Sequence, residues 1–345
     1  MAELSVVVPV YGCRDCLSAL HRRLRASVGS ITSDFELIFV DDRSPDGSWE
    51  ALLELSRSDP AVRVVRLSRN FGQHAAITAG LVEASGEWVI VTDCDLEDPP
   101  EEIPRLHAKA REGYDFVLAR RKRRRQSLFR RFAASAYRRL SNLLAGTDVD
   151  PRLTNLSIVS RQVVDSFLRL RDQDRQYVLI LLWLGFRHTT IDVDQDPRYA
   201  GRSSYGLREL IRVAADGIFF QTTKLLRWIV YVGFAVAALG VALAAVVVYT
   251  YVQEDPPEGW ASLAVLSLIL GGFIIASTGV MGLYIGKIFS QVKGRPLYVV
   301  DRRVVSGVEA AASTRAEQDA LVSAQPGLAA PAAGVEQPPV GAPPD

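Results

Sequence analysis

Short apolar runs rich in Val and Ile recur at 4–10, 36–41, 62–67 and 88–92, each bounded by polar turn residues. Between them lie stretches of helical period near 16–28, 47–56 and 73–84. Runs of this kind read as strands buried on both faces. Their alternation with helices predicts an α/β fold, a doubly wound, mainly parallel sheet with helices on both sides. Ligands of such sheets bind beyond the carboxyl ends of the strands. Pro9-Val10-Tyr11, Asp41-Asp42 and Asp93-Cys94-Asp95 all fall at those ends, so three clusters converge on one expected crevice.

The pattern changes in the second half. Leu207, Leu210, Ile211, Ala214 and Ile218 recur at helical spacing with Arg208, Arg212 and Asp216 between them, the mark of an amphipathic helix lying at an interface. Residues 228–252 and 260–286 then carry no Asp, Glu, Lys or Arg. Each is long enough to cross about 30 Å of hydrocarbon as a helix. Their connector holds Glu254, Asp255 and Glu258, whereas Lys224, Arg227, Lys287, Lys293 and Arg295 flank the other ends. The positive-inside tendency puts the connector outside and both termini in the cytoplasm.

The expected organisation is a cytoplasmic catalytic domain (1–205), a juxtamembrane amphipathic helix (206–227), a first span (228–252), an external loop (253–259) and a second span (260–286). A cytoplasmic return segment (287–305) follows, with a short strand starting near Arg295, and then a tail (306–345) rich in Ala and Pro. The tail has too few large apolar residues to bury a core and is expected to be disordered. The N-terminus enters a strand at once, without signal-peptide layout. This is the plan of an integral protein of the cytoplasmic membrane with two spans. Lone spans tend to pack against others, so a homo-oligomer is expected as well.

Composition adds little to this. The chain is 48% apolar with a mean hydropathy of +0.11, and the excess sits in the two spans. A formal net charge of +1 selects no partner, but the distribution of charge does. Arg120-Arg121-Lys122-Arg123-Arg124-Arg125 is an unbroken basic run, followed by Arg130, Arg131, Arg138 and Arg139. It reads either as a solvated loop or as a loop facing anionic headgroups or a lipid phosphate. No nucleic-acid module surrounds it, so nucleic acid is not an expected partner. The three cysteines, Cys13, Cys16 and Cys94, make no disulfide framework. The C-x-x-C pair lacks a second pair to complete a metal site and reads as two small helix-turn residues.

The candidate chemistry is acidic. Asp93 and Asp95, one residue apart at a strand end, point to the same side of the chain. Hard oxygen ligands in that arrangement suit Mg²⁺ or Mn²⁺, which usually also hold substrate phosphates. Glu97 and Asp98 are either further ligands or caps of the helix opened by Pro99-Pro100. Asp41 and Asp42 can accept hydrogen bonds from a base or a ribose, and Asp46, before Gly47, fits a helix cap better.

Together, several segments carry a resemblance: Val6-Val7-Val8-Pro9-Val10-Tyr11, Phe39-Val40-Asp41-Asp42-Arg43-Ser44-Pro45-Asp46-Gly47, Arg69-Asn70-Phe71-Gly72-Gln73 and Asp93-Cys94-Asp95-Leu96-Glu97-Asp98-Pro99-Pro100-Glu101. Arg198-Tyr199-Ala200-Gly201-Arg202-Ser203-Ser204-Tyr205 and Arg295-Pro296-Leu297-Tyr298 extend it. Over about residues 4–303 the chain resembles family 2 glycosyltransferases of the GT-A fold. Within them it is similar to the polyprenyl-phosphate branch, which includes dolichyl-phosphate mannosyltransferase and bacterial undecaprenyl-phosphate sugar transferases. The resemblance implies a site for a nucleotide sugar (UDP- or GDP-hexose) with Pro9, Tyr11, Asp41, Asp42 and Asp93 around the nucleotide. It implies Mg²⁺ or Mn²⁺ on Asp93, Asp95 and Glu97. Arg198 and Ser203, with Arg120 and Arg130 of the basic region, would meet the phosphate of a polyprenyl phosphate acceptor. Arg198 counts among the catalytic candidates with Asp93 and Asp95.

Two departures matter. Gly12-Cys13 stands where relatives usually read Asn-Glu, and Arg152 and Asn155 occupy two positions that are acidic in many relatives. Asp148 and Asp150, just upstream, remain as candidates for a base. A sugar hydroxyl usually needs a general base, whereas a phosphate monoester, with a second pKa near 6, is already ionised at neutral pH. The expected activity is therefore inverting transfer of a hexose to polyprenyl phosphate. The alternatives are a transferase extending a lipid-diphosphate-linked glycan and a non-catalytic membrane-anchored interaction module. A processive synthase fits less well, since Arg227-Trp228 follows Lys224 where a Q-x-x-R-W pattern has Gln.

Overall fold

The computed structural model describes residues 2–122, 150, 152–170, 172–173, 175–194 and 260–310, with four isolated positions between 231 and 249. Its first half alternates as the apolar runs require: β1 (Leu4–Val10), α1 (Arg14–Gly29), β2 (Phe35–Asp41), α2 (Ser48–Ser58), β3 (Val62–Leu67), α3 (Gln73–Glu83) and β4 (Trp88–Val91). Then come α4 (Ile103–Ala110), β5 (Phe116–Arg121), β6 (Leu153–Ser160), α5 (Arg161–Arg169), α6 (Tyr177–Leu184) and β7 (His188–Val193). The long helix α7 (Trp260–Val292) precedes β8 (Val300–Val305) and β9 (Val308–Ala310).

All seven residues of β1 are buried, because helices cover both faces of the sheet. Alternate side chains divide between two layers. Val6, Val8, Leu37 and Phe39 pack with Leu17, Leu20 and Leu24 of α1, Leu52 of α2 and Leu106 of α4. Val7, Ile38 and Val40 pack with Ile77 of α3, Phe167 of α5 and Ile180 of α6. Each such side chain, fully buried, contributes about 1.5–3 kcal/mol of transfer free energy. The contact of α3 with the sheet is close because Gly80 lacks a side chain. A Cβ there would lie 2.3 Å from Val7 Cγ1.

The nine strands run in the order β7-β5-β6-β4-β1-β2-β3-β8-β9. The pairs β1–β2, β1–β4, β2–β3 and β5–β7 are parallel. The pairs β4–β6, β5–β6, β3–β8 and β8–β9 are antiparallel. The sheet is thus mixed rather than mainly parallel. Its parallel core (β3-β2-β1-β4) matches the sequence pattern, while antiparallel strands extend it on both sides. A buried apolar run identifies a strand but carries no mark of its direction.

The sheet is not contained within residues 1–205. The return segment supplies β8, which pairs with β3, and Ser306-Gly307, both at positive φ (51° and 74°), turn the chain into β9. Order therefore reaches Ala310, five residues into the stretch read as tail, because Val308 and Glu309 pair with Val305 and Val304. Arg303 bonds Glu83 at 2.7 Å and Arg43 bonds Asp301 at 2.9 Å, seating β8 on the domain.

The amphipathic segment 206–227 and the loop 253–259 lie outside the described residues, as does 228–252 apart from its isolated helical positions. The stretch 260–286 falls within α7, which is 33 residues long. Among the described residues no helix is long and apolar enough to cross a membrane. A Cβ on Gly233 would touch the Phe273 ring of α7 at 3.5 Å.

Candidate functional site

Parallel pairing brings the carboxyl ends of β1, β2 and β4 to one edge. Val10 lies beside Asp41 and Val7 beside Val91, so Tyr11, Asp41-Asp42 and Asp93-Cys94-Asp95 emerge together. The loops are tied there. Asp42 N–H donates to the Val10 carbonyl (2.9 Å), and Thr92 N–H to that of Val7 (3.1 Å). The Asp46 carboxylate accepts from Arg14 N–H (2.9 Å) at the head of α1 and from Ser48 N–H (3.1 Å) and hydroxyl (2.6 Å) at the head of α2. One anion thus serves two helix N-termini, where negative charge is favoured.

The acidic pair after β2 faces inward. Asp41 is fully buried; Oδ1 accepts the Ser44 N–H at 2.9 Å. Arg66 Nε stands 3.3 Å from Oδ2, an ion-pair distance without hydrogen-bond alignment. Burial pushes the Asp41 carboxyl above the ordinary carboxylate range, against the pull of Ser44 and Arg66. Asp42, also buried, accepts from the Phe71 N–H (2.7 Å) and the Gly72 N–H (2.8 Å). Both its oxygens brace the 69–72 loop. Pro9 is buried within β1, and Tyr11 is exposed at the mouth of the crevice.

Asp93 occupies the centre. It accepts from Gln73 Nε2 at 2.6 Å and from Asn155 Nδ2 at 3.2 and 3.3 Å. Burial, reinforced by the neighbouring Asp95 charge, pushes Asp93 up to about 7. Asp95 accepts the Glu97 N–H at 3.1 Å. The turn between them is strained: buried Leu96 has φ 60°, a left-handed value that side chains rarely adopt and that packing must hold in place. Glu97 lies 3.7 Å from Arg121. Among the described residues no group of three or more His, Cys, Asp or Glu side chains is arranged to hold a metal ion. The two-carboxylate set nevertheless fits a divalent cation. The Asp95 charge that disfavours ionisation of Asp93 is what a cation would neutralise, and Mg²⁺ commonly takes only one or two carboxylates beside substrate phosphates.

The far side of the crevice is a rim of ion pairs. Asp150 is held by Arg152 (2.6 Å), whose hydrogen bonds keep its carboxyl below the ordinary range. Arg120 bonds Asp192 at 2.6 Å and Lys122 bonds Asp194 at 2.5 Å. Asp148, Arg130, Arg198 and Ser203 lie outside the described residues. All three thiols are free. Cys13 Sγ–H donates to the Cys94 carbonyl at 3.0 Å and packs with buried Cys16. Interaction with Cys94 and burial raise the Cys13 thiol, which disfavours its thiolate form.

The residue reading gave no role to Gln73 or Asn155, the two amides that aim Asp93. Gln73 was visible only as the last residue of Arg69-Asn70-Phe71-Gly72-Gln73. Asn155 was visible only as an absent acid.

Comparison with known proteins gives a concordant picture. The model of the family described as Glycosyl transferase family 2 matches residues 5–167. The chain is 34% identical over 302 residues to an uncharacterized glycosyltransferase, YkcC, of Bacillus subtilis, covering 87% of this chain and 94% of the relative. It is 36% identical over 315 residues to the undecaprenyl-phosphate 4-deoxy-4-formamido-L-arabinose transferase of Pseudomonas savastanoi pv. phaseolicola, covering 89% and 92%. Glucosyl-3-phosphoglycerate synthase from Mycobacterium tuberculosis, crystallised with Mn²⁺, UDP and phosphoglyceric acid, aligns with a TM-score of 0.47 at 21% identity. That alignment covers 63% of this chain and 76% of the synthase.

Proposed function

The chain belongs to glycosyl transferase family 2 and is an enzyme, and from that premise we propose that it transfers a hexose from a nucleotide diphosphate sugar to a polyprenyl phosphate, with inversion, at the cytoplasmic face of a membrane. The observation that carries this reading is that, among the described residues, no competent base stands opposite the carboxylate pair. Asn155 faces Asp93, and Asp150 is locked onto Arg152. An acceptor hydroxyl would need its proton removed, but a phosphate monoester brings its own negative oxygen. The relatives named as undecaprenyl-phosphate transferases favour the same acceptor class.

In this reading Asp93 and Asp95 hold a Mg²⁺ or Mn²⁺ ion, which supplies Lewis-acid neutralisation of the diphosphate leaving group. Gln73 and Asn155 fix the Asp93 side chain, and Asp42 fixes the loop that delivers Gln73. The acceptor oxygen attacks the anomeric carbon in line. The bond to the donor diphosphate breaks, its electron pair leaving with the nucleotide. Positioning and charge placement carry the rate. Gly233 of the apolar segment 228–252 lies against Phe273 of α7, so the two apolar segments touch there.

The test is transfer from a panel of radiolabelled UDP- and GDP-sugars to undecaprenyl phosphate in detergent with Mn²⁺, comparing wild type with Asp95→Ala. The expected result is a metal-dependent, acid-labile lipid product that disappears in the variant. Intact nucleotide-sugar binding without any lipid product would defeat the proposal and point to lipid-diphosphate-linked acceptors.

A further inference from the structure

A cavity of about 220 Å³ opens beside the carboxylate pair. Its walls include Phe71, Gln73, His74, Thr78, Arg175 and Leu297. A volume of that size equals roughly seven waters' share of liquid, ample for a phosphate group. Among the described residues no carboxylate lines it.

Two independent features make it a site for an anion. The first is the head of α3, an 11-residue helix beginning at Gln73. Asp42 takes the Gly72 N–H and the Gly72 carbonyl takes those of Ala75 and Ala76, which leaves the N–H groups of Gln73 and His74 for a ligand, with the dipole adding positive potential there. The second is Arg175, which is 8% exposed. Its Nε and Nη2 donate to the carbonyls of Asp172 and Leu170, and its guanidinium stacks over the Phe167 ring at 5.4 Å. Its buried Nη1 has no hydrogen-bond partner among the described residues. An unsatisfied charged donor in the interior is costly, and an anion in the cavity removes that cost. His74 supports this arrangement: Nδ1 takes the Tyr177 N–H (3.4 Å), which leaves Nε2 as a donor.

We propose that this cavity binds a phosphate monoester, held between the N-terminus of α3 and the guanidinium of Arg175. Gln73 bonds Asp93 at 2.6 Å, so an anion here sits next to the reacting centre. Leu297 and Phe71 supply an apolar wall. Gln173 ties the rim to Gln291 (3.0 Å) and to the Arg295 carbonyl (2.8 Å), at the end of α7 where a lipid chain would leave. The site deepens the polyprenyl-phosphate reading, which it needs only to say where the phosphate comes from.

The test uses the full chain in detergent, titrated with farnesyl phosphate, farnesol and inorganic phosphate and followed by thermal shift and ³¹P line width. Wild type, Arg175→Gln and the rim variant Gln173→Glu are compared. Farnesyl phosphate should bind more tightly than inorganic phosphate, and farnesol should have no effect. Arg175→Gln should weaken phosphate binding roughly 10–100-fold, with nucleotide-sugar affinity unchanged. Gln173→Glu should also weaken it while leaving the buried arginine in place, so a folding defect in the first variant does not remove the test. Equal phosphate affinity in all three proteins, or no phosphate binding by wild type, would overturn the site. Equal binding of the two phosphates would keep the site but make free phosphate its source. Arg175-dependent binding in a chain that transfers no sugar to polyprenyl phosphate would keep the site and remove the function proposed above. Transfer indifferent to Arg175 would do the reverse.

Discussion

Replacing Gly80 by Ala tests how closely the catalytic geometry depends on backbone approach. Carbon atoms pack at about 3.5–4.0 Å, but a methyl at position 80 would stand 2.3 Å from Val7 Cγ1 and 3.2 Å from Val40 Cγ2. Val7 is fully buried in the central strand, and its branched side chain has little rotamer freedom. Helix α3 must therefore retreat by more than ~1 Å. Overpacking of this kind costs about 1–3 kcal/mol, and the gain from Gly to Ala in a helix interior offsets about 1 kcal/mol at most. A net loss of about 1 kcal/mol should lower the unfolding midpoint by roughly 2–4 °C. The retreat also draws Gln73 from Asp93, now 2.6 Å apart, so sugar transfer should fall more than stability alone explains. Val7→Ala costs on the order of 2 kcal/mol alone, but in the double variant the new methyl fills its space, with a coupling of about 1–3 kcal/mol. Thermal unfolding and transfer assays on the four proteins of this cycle provide the check. A Gly80→Ala variant more stable than wild type, or strictly additive effects, would refute the reasoning.

Asp93 is held at about 7, above its ordinary 3.8, so its contribution to metal-free stability is full below pH 4 and lost as pH rises towards 7. A cation needing both carboxylates ionised gains affinity over the same range. Stabilisation by Mn²⁺ should grow from pH 5.5 to 8 and vanish in Asp93→Asn; a shift independent of pH would contradict the assignment. Asn155→Asp adds a third carboxylate beside Asp93 and should lower metal-free stability while tightening Mn²⁺ binding, measurable by calorimetry; unchanged affinity would exclude that contact. Asp59 is pushed up by burial, but hydrogen bonds from His21 (2.8 Å), Ala61 N–H (3.0 Å) and Arg25 outweigh this and hold it below 3.8. Its stabilisation is present above the ordinary value and lost as pH falls through the depressed one. Asp59→Asn should cost about 1–3 kcal/mol at pH 7 and less at pH 3 in urea titrations; an equal loss at both would count against this hub.

The parallel core and the carboxylate pair were legible because periodicity and strand-end position are local properties. Leu4–Val10 and Trp88–Val91 could be read from their own residues, and Asp93 and Asp95 from their place after the second. The roles of Asp42, Gln73 and Asn155 were not legible. Each depends on a partner far along the chain: Asp42 on Phe71, Gln73 on Asp93, and Asn155 on Asp93 across the β4–β6 pairing. Arg120 and Asp150 read as free functional charges, yet the fold gives each a close counter-ion in Asp192 and Arg152. Strand direction was equally hidden, since an apolar run reads the same in a parallel or an antiparallel neighbour.

The pairing of β3 with β8 joins Val65 to Arg303 across about two thirds of the chain. At ~5–20 residues per second of synthesis, β3 waits roughly 10–50 s for its partner. Throughout that time its outer edge presents unpaired N–H and C=O groups to other nascent chains. The apolar segments must emerge and find their place before the sheet can close. Maturation of the catalytic domain is therefore timed by the fate of α7, and a chain cut short after that helix would carry its reactive crevice on a sheet with an open, adhesive edge.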